Sequence, residues 1–185
     1  KPLAEELLFG KLTGGGVVSI DFQDGELSFD YENTKATDRS KEETSKKKAK
    51  KTEQLANRIS KKLKPSDIIF LYGEMGVGKT TFVRYLINKF QENDNLKITE
   101  ITSPTFNLLN EYQLHKIKIN HYDLFRIKSN RETKNLGLFE NNNSSITLIE
   151  WPEIIEKKPK NLIELFFEYE KDHSSRSVQI KGLNF

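Results

Sequence analysis

Eight consecutive residues carry the clearest chemistry in this chain: Gly73-Glu74-Met75-Gly76-Val77-Gly78-Lys79-Thr80, a complete G-x-x-x-x-G-K-[ST] signature. Its glycines let the backbone curl so that successive N–H groups point inward at phosphate oxygens, and a helix opening at Thr80 adds its positive dipole end. In such a loop the Lys79 ammonium would reach the β- and γ-phosphates of a nucleotide. The Thr80 hydroxyl would ligate Mg2+, and Thr81 would add a phosphate contact.

Binding alone needs no more than this loop, but hydrolysis also needs an acid near the metal and a group that orients water. Ile146-Thr147-Leu148-Ile149-Glu150 reads as a strand ending in a carboxylate, so Glu150 is the expected second protein group on Mg2+. In His121-Tyr122-Asp123-Leu124-Phe125-Arg126, Asp123 also falls near a strand end, where α/β sheets collect their ligands. It would hold a metal-bound water or act as general base. Thr102-Ser103-Pro104-Thr105 is a hydroxyl-rich turn, fixed by Pro104, suited to sensing a γ-phosphate. The three histidines, His115, His121 and His173, show no metal-ligand spacing, and His121 reads first as a packed strand-end residue.

These groups need elements to hold them. Asp67 to Tyr72 is short, β-branched and nearly all apolar, the pattern of a central strand covered on both faces. After the loop, Phe82, Val83, Leu86, Ile87 and Phe90 show helical spacing over 80–90. Leu55, Ile59 and Leu63 predict a short amphipathic helix from about Thr52 to Lys64, closed by Pro65. Further strands are expected at about 98–102, 106–113, 118–124, 146–151, 162–169 and 176–181. The implied fold class is α/β, a P-loop NTPase-like sheet with a parallel core and some antiparallel strands, plus an N-terminal helix-hairpin appendage. In that appendage Val17–Phe22 and Glu26–Tyr31 alternate around Gln23-Asp24-Gly25, a hairpin signal.

With 185 residues, 35% hydrophobic and 31% charged, the chain holds one ordinary domain and an appendage. No apolar run approaches the roughly 18 residues needed to cross a bilayer, so a soluble protein without membrane contact is expected. The lack of cysteine excludes disulfides and thiol catalysis and points to the cytoplasm. Since no Met precedes Lys1, a fragment, a processed chain or a trimmed fusion is expected. The net charge of +3 is unevenly placed: residues 41–64 carry ten Lys/Arg against three Asp/Glu. Their centre, KEETSKKKAKK over 41–51, lacks an apolar face and reads as part of a charged flexible linker over 33–51. The domains are thus expected at 1–32, 33–51 and 52–185.

Two resemblances sharpen this reading. The segments GEMGVGKTTF, TSPTFNLLNEY, HYDLFR, LGLFE and LIEWPE, in this order, resemble the TsaE (YjeE) family of small ATPases needed for threonylcarbamoyladenosine modification of tRNA. The resemblance covers about residues 52–185. It implies ATP and Mg2+ binding, slow ATP hydrolysis, and association with TsaD and TsaB proteins, with tRNA engaged indirectly. By position it implies that Lys79 and Thr80 are the phosphate and metal residues, Glu150 the metal-contacting acid and Asp123 the acid tied to hydrolysis. Ser103, Pro104 and Thr105 match a switch-like loop, Trp151 lies beside the metal site, and Thr52 matches a threonine near the nucleotide. Phe125 stands where the family often has Tyr. Separately, residues 1–32 resemble the C-terminal end of ClpA-type Clp protease ATPase subunits and carry no catalytic motif.

Other readings use the same loop. A small-molecule kinase would need an acceptor site and clustered lid arginines, and Arg126, Arg131 and Arg176 are scattered. A nucleotide-gated binding module would bind ATP with only incidental turnover. GTP is disfavoured because no N-K-x-D element occurs; Asn88-Lys89-Phe90-Gln91 fails at its last position.

Overall fold

The apolar run ahead of the loop does become a central strand. In the computed structural model, which describes residues 16–23, 26–33, 38–140, 142–170 and 175–184, β3 (Ile68–Tyr72) lies mid-sheet with Ile69, Phe70 and Leu71 fully buried. The chain divides into two compact units, Lys1–Ala49 and Lys50–Phe185.

In the first unit β1 (Gly16–Gln23) pairs antiparallel with β2 (Glu26–Asn33), Gln23 facing Glu26, as the alternating pattern predicts. The Asp24-Gly25 turn and the helix expected ahead of the hairpin lie outside the described residues.

The charged stretch is corrected by the structure. Helix α1 runs over Asp38–Ser60, so residues 38–51 are helical where a flexible linker was expected. Lys, Glu and Ala, which dominate the stretch, are strong helix formers. Packing of fully buried Ala56 and Ile59 anchors the C-terminal turns, from which the helix propagates at little cost. It also stops earlier than Pro65 demands. After Ser60 the Lys62 and Leu63 amides both turn back to the Ile59 carbonyl, at 2.9 and 3.2 Å.

The second unit is built on a six-stranded sheet ordered β4-β5-β6-β3-β7-β8. Its members are β4 (Leu109–Gln113), β5 (Lys118–Asp123), β6 (Ser145–Glu150), β7 (Leu162–Tyr169) and β8 (Arg176–Lys181) around β3. The pairs β5/β6, β6/β3 and β3/β7 are parallel, while the edges β4/β5 and β7/β8 are antiparallel. This is the expected mixed α/β sheet. Helix α2 (Lys79–Asn93) covers one face, burying Phe82, Val83, Leu86 and Ile87 against Ile69, Leu71, Ile146 and Leu165. The other face packs Ile68, Phe70, Tyr122 and Ile149 under Leu138 and Ile155, with the short helix α3 (Asn130–Asn135) just upstream.

The strand expected at 98–102 does not form. Gln91 of α2 captures Thr99 twice, accepting from its amide at 3.1 Å and donating to its hydroxyl at 2.8 Å, so this segment hydrogen-bonds the helix rather than the sheet. The strand expected at 106–113 is shortened to 109–113 by a turn in which the Leu108 amide bonds the Pro104 carbonyl and Leu108 adopts φ 63°.

On the edge away from the acids, Glu164 accepts from the Tyr72 hydroxyl at 2.9 Å and the Lys158 ammonium at 2.5 Å. Burial pushes the Glu164 carboxyl up, but these two donors and the nearby Lys181 outweigh it and hold it below the usual carboxylate range. A depressed folded value stabilises the protein above the unfolded pKa and is lost as pH falls through the folded one. Glu164→Gln should therefore cost under about 1 kcal/mol at pH 7, and the gap from wild type in urea unfolding should close at the acid end. A gap that does not depend on pH would contradict this.

Candidate functional site

At the carboxyl end of β3 the chain turns through Gly73, Gly76 and Gly78, with φ of 133°, 76° and 114°. L-residues rarely tolerate these angles, which is the conformational reason for glycine here. A Cβ at Gly73 would in addition strike the Phe167 carbonyl oxygen of β7. The loop closes onto the first turn of α2, which holds no acidic side chain to compete with an anion.

Lys79 is only 4% exposed. Its ammonium donates to the carbonyls of Gly73 and Glu74, at 2.5 and 3.0 Å, and sits 3.6 Å from the centre of the Trp151 ring. Burial pushes its pKa down, opposed by the negative charges of Glu150, Glu153 and Asp123. The cation is therefore held at the mouth of the loop by groups weaker than a phosphate would be.

The two candidate acids end adjacent parallel strands, Asp123 facing Glu150 in the β5/β6 register. Glu150 accepts the Thr80 hydroxyl on Oε2 at 2.9 Å, joining the last residue of β6 to the first turn of α2. Its other oxygen, Oε1, lies 2.9 Å from His121 Nε2. Asp123 Oδ2 accepts from the Ser103 and Thr105 hydroxyls at 2.5 and 2.8 Å, and Oδ1 accepts the Phe125 amide at 3.0 Å. β6 ends at Glu150 because Trp151 turns left-handed (φ 58°) and Pro152 opens a short 3-10 turn, Pro152–Ile154. That turn sets the indole between Lys79 and Phe125, whose ring centre is 4.9 Å away.

Around these groups lies a cavity of about 410 Å3 lined by Met75, Gly76, Gly78, Lys79, Thr80, Thr81, Ser103, Thr105, Asp123, Phe125, Glu150 and Trp151. Most of the residues singled out in the sequence meet here. Besides Gly73 and His121, four do not line it. Val77 is packed in the core, Glu74 contributes its carbonyl to Lys79, Pro104 is buried with its carbonyl bound to Leu108, and Thr52 stays on α1. The hydroxyls of Ser103 and Thr105, expected to face a phosphate, are turned onto Asp123.

His121, weighed in the sequence between contact with the substrate side of the site and strand-end packing and read first as packing, adjoins Glu150. The available signal was strand alternation: positions 121 and 123 share a face of β5, so a histidine two residues before a site acid points the same way.

The donor set suits Mg2+: a hydroxyl and a carboxylate are hard oxygen ligands, and this ion takes one or two protein oxygens and fills the rest with phosphates and water. Among the described residues no group of three or more His, Cys, Asp or Glu forms a metal cage.

Comparison with known proteins gives the family. The family model described as Threonylcarbamoyl adenosine biosynthesis protein TsaE matches residues 46–178. The tRNA threonylcarbamoyladenosine biosynthesis protein TsaE of Rickettsia typhi is 42% identical over 137 residues, covering 74% of this chain and 92% of that protein. The protein of the same name from Aquifex aeolicus is 35% identical over 130 residues, covering 70% and 87%. The crystal structure of Bacillus subtilis YdiB superposes with a TM-score of 0.51 at 24% identity, covering 70% of this chain and 77% of that one, a likeness of fold. With its matched segment spanning the loop, both acids and the aromatic after Glu150, this chain belongs to the TsaE family.

Proposed function

We propose that this chain is a Mg2+-dependent ATPase that supports threonylcarbamoyladenosine modification of tRNA in the cytoplasm, acting with TsaD and TsaB proteins and meeting tRNA through them. The observation that carries the reading is the Thr80–Glu150 hydrogen bond at 2.9 Å, which sets a metal-type oxygen pair beside the Lys79 ammonium in one cavity. The names of the relatives supply the tRNA-modification context.

Lys79 would exchange its two carbonyl partners for the β- and γ-phosphate oxygens, gaining charge-assisted bonds for neutral ones. The loop amides and the α2 terminus would hold the phosphate tail. Mg2+ bound at Thr80 and Glu150 would neutralise charge between the β- and γ-phosphates. Asp123, immobilised by three donors, would orient the attacking water or take its proton, its position fixed in advance. Ser103 and Thr105 link that acid to the 103–105 turn, so a γ-phosphate drawing on these hydroxyls would alter how Asp123 is held. Residues 1–32 are proposed as a separate appendage without a part in this chemistry.

Phosphate release from Mg·ATP by residues 52–185, with and without TsaD and TsaB, tests the reading. Turnover raised by the partners is expected. Binding without any turnover would favour a nucleotide-gated module, and transfer to an acceptor would favour a kinase. Trp151 offers a second check, being the only tryptophan and lying against Lys79. When Lys79 moves to phosphate the indole loses its cation, so Mg·ATP should change the intrinsic fluorescence. An unaltered emission spectrum at saturating nucleotide would contradict the proximity.

A further inference from the structure

We propose that His121 is a positioning residue that sets the metal-facing carboxylate of Glu150; this rests on the Mg·ATP reading above. His121 is fully buried and does not line the cavity, so it can act on a ligand only through a neighbour. That neighbour is Glu150, whose Oε1 lies 2.9 Å from His121 Nε2 while its Oε2 accepts the Thr80 hydroxyl at 2.9 Å.

An ionised carboxylate only accepts hydrogen bonds, so Nε2 carries the proton and donates it. Nδ1 is buried and has no hydrogen-bond partner among the described residues, a cost that an apolar side chain at this position would avoid. What the imidazole supplies in return is the bond to Glu150. The last torsion of a glutamate is broad, so with one oxygen released the carboxylate plane could swing away from Thr80. With Oε1 pinned from β5, Oε2 stays beside the Thr80 hydroxyl at the cavity wall. Strand β5 thereby serves both acids from one face, His121 bracing Glu150 and Asp123 meeting the turn hydroxyls.

Partners of this kind typically change metal affinity 10–100-fold. The experiment measures ATP affinity of the full chain by calorimetry, once with Mg2+ and once with EDTA; the ratio is the metal's contribution. In His121→Phe, which keeps the bulk and loses the donor, that ratio should drop about 10–100-fold while the EDTA affinity stays within about threefold. His121→Gln, which restores an N–H at similar reach, should recover most of the ratio. An unchanged ratio in His121→Phe, or equal losses with and without metal, would overturn the proposal. A wild-type protein indifferent to Mg2+ would instead overturn the reading of Thr80 and Glu150 as metal ligands. Should His121→Phe fail to fold, long-range 1H–15N spectra of the unsubstituted chain decide: a His121 proton on Nε2 supports the role, and one on Nδ1 alone ends it.

Discussion

Lys79→Ala is expected to abolish measurable ATP binding. The ammonium is 4% exposed and is the cation at the heart of the cavity, while the nearest charges, Glu150, Asp123 and Glu153, are all negative. Removing it leaves a polyphosphate facing carboxylates without the one cationic side chain that lines the cavity among the described residues. Truncating one partner of a buried charge pair costs about 2–5 kcal/mol, which is roughly 30- to several-thousand-fold in affinity. The loop should still fold, since its shape comes from three positive-φ glycines and the α2 helix rather than from the ammonium. Calorimetry with Mg·ATP checks the outcome, and affinity within a few-fold of wild type would remove the loop from the proposed mechanism.

Substitution of either acid should separate grip from turnover. Asp123→Ala is expected to keep most nucleotide affinity, and Glu150→Ala the affinity measured without metal, while each slows hydrolysis at least about a hundredfold, the usual scale for a positioned acid or base. The two should differ in detail. Loss of Asp123 leaves the Ser103 and Thr105 hydroxyls without their shared acceptor, so the effect should persist at any Mg2+ concentration. Loss of Glu150 frees Thr80 and His121, so excess Mg2+ should recover part of the rate. Single-turnover measurements at saturating ATP distinguish the cases, and unchanged rates would exclude the residue concerned.

How much of this could be seen in the sequence depended on the range of the interaction involved. The phosphate loop was legible because glycine spacing and the preceding apolar run are local, and β3 and α2 form where those residues place them. Glu150 and Asp123 were legible as strand ends for the same reason. Ser103 and Thr105 were recognised, but not their bonds to Asp123, which join segments 18 and 20 residues apart. His121 was read as packing because its partner lies 29 residues away on another strand. The linker was misjudged because a polar stretch lacks an apolar face whether it is coil or solvated helix; only propensity and the anchored turns at Ala56 and Ile59 separate the two. The absent strand at 98–102 failed for a comparable reason, since the pairing of Gln91 with Thr99 has no periodic signature.

At Gly73 the missing side chain leaves room for a main-chain oxygen of the neighbouring β7, so the nucleotide loop and the closing β7/β8 hairpin share one van der Waals boundary. The hairpin thus works as a buttress. Its register cannot drift without disturbing the loop, so a substitution that shifts the last two strands should be felt at Gly73.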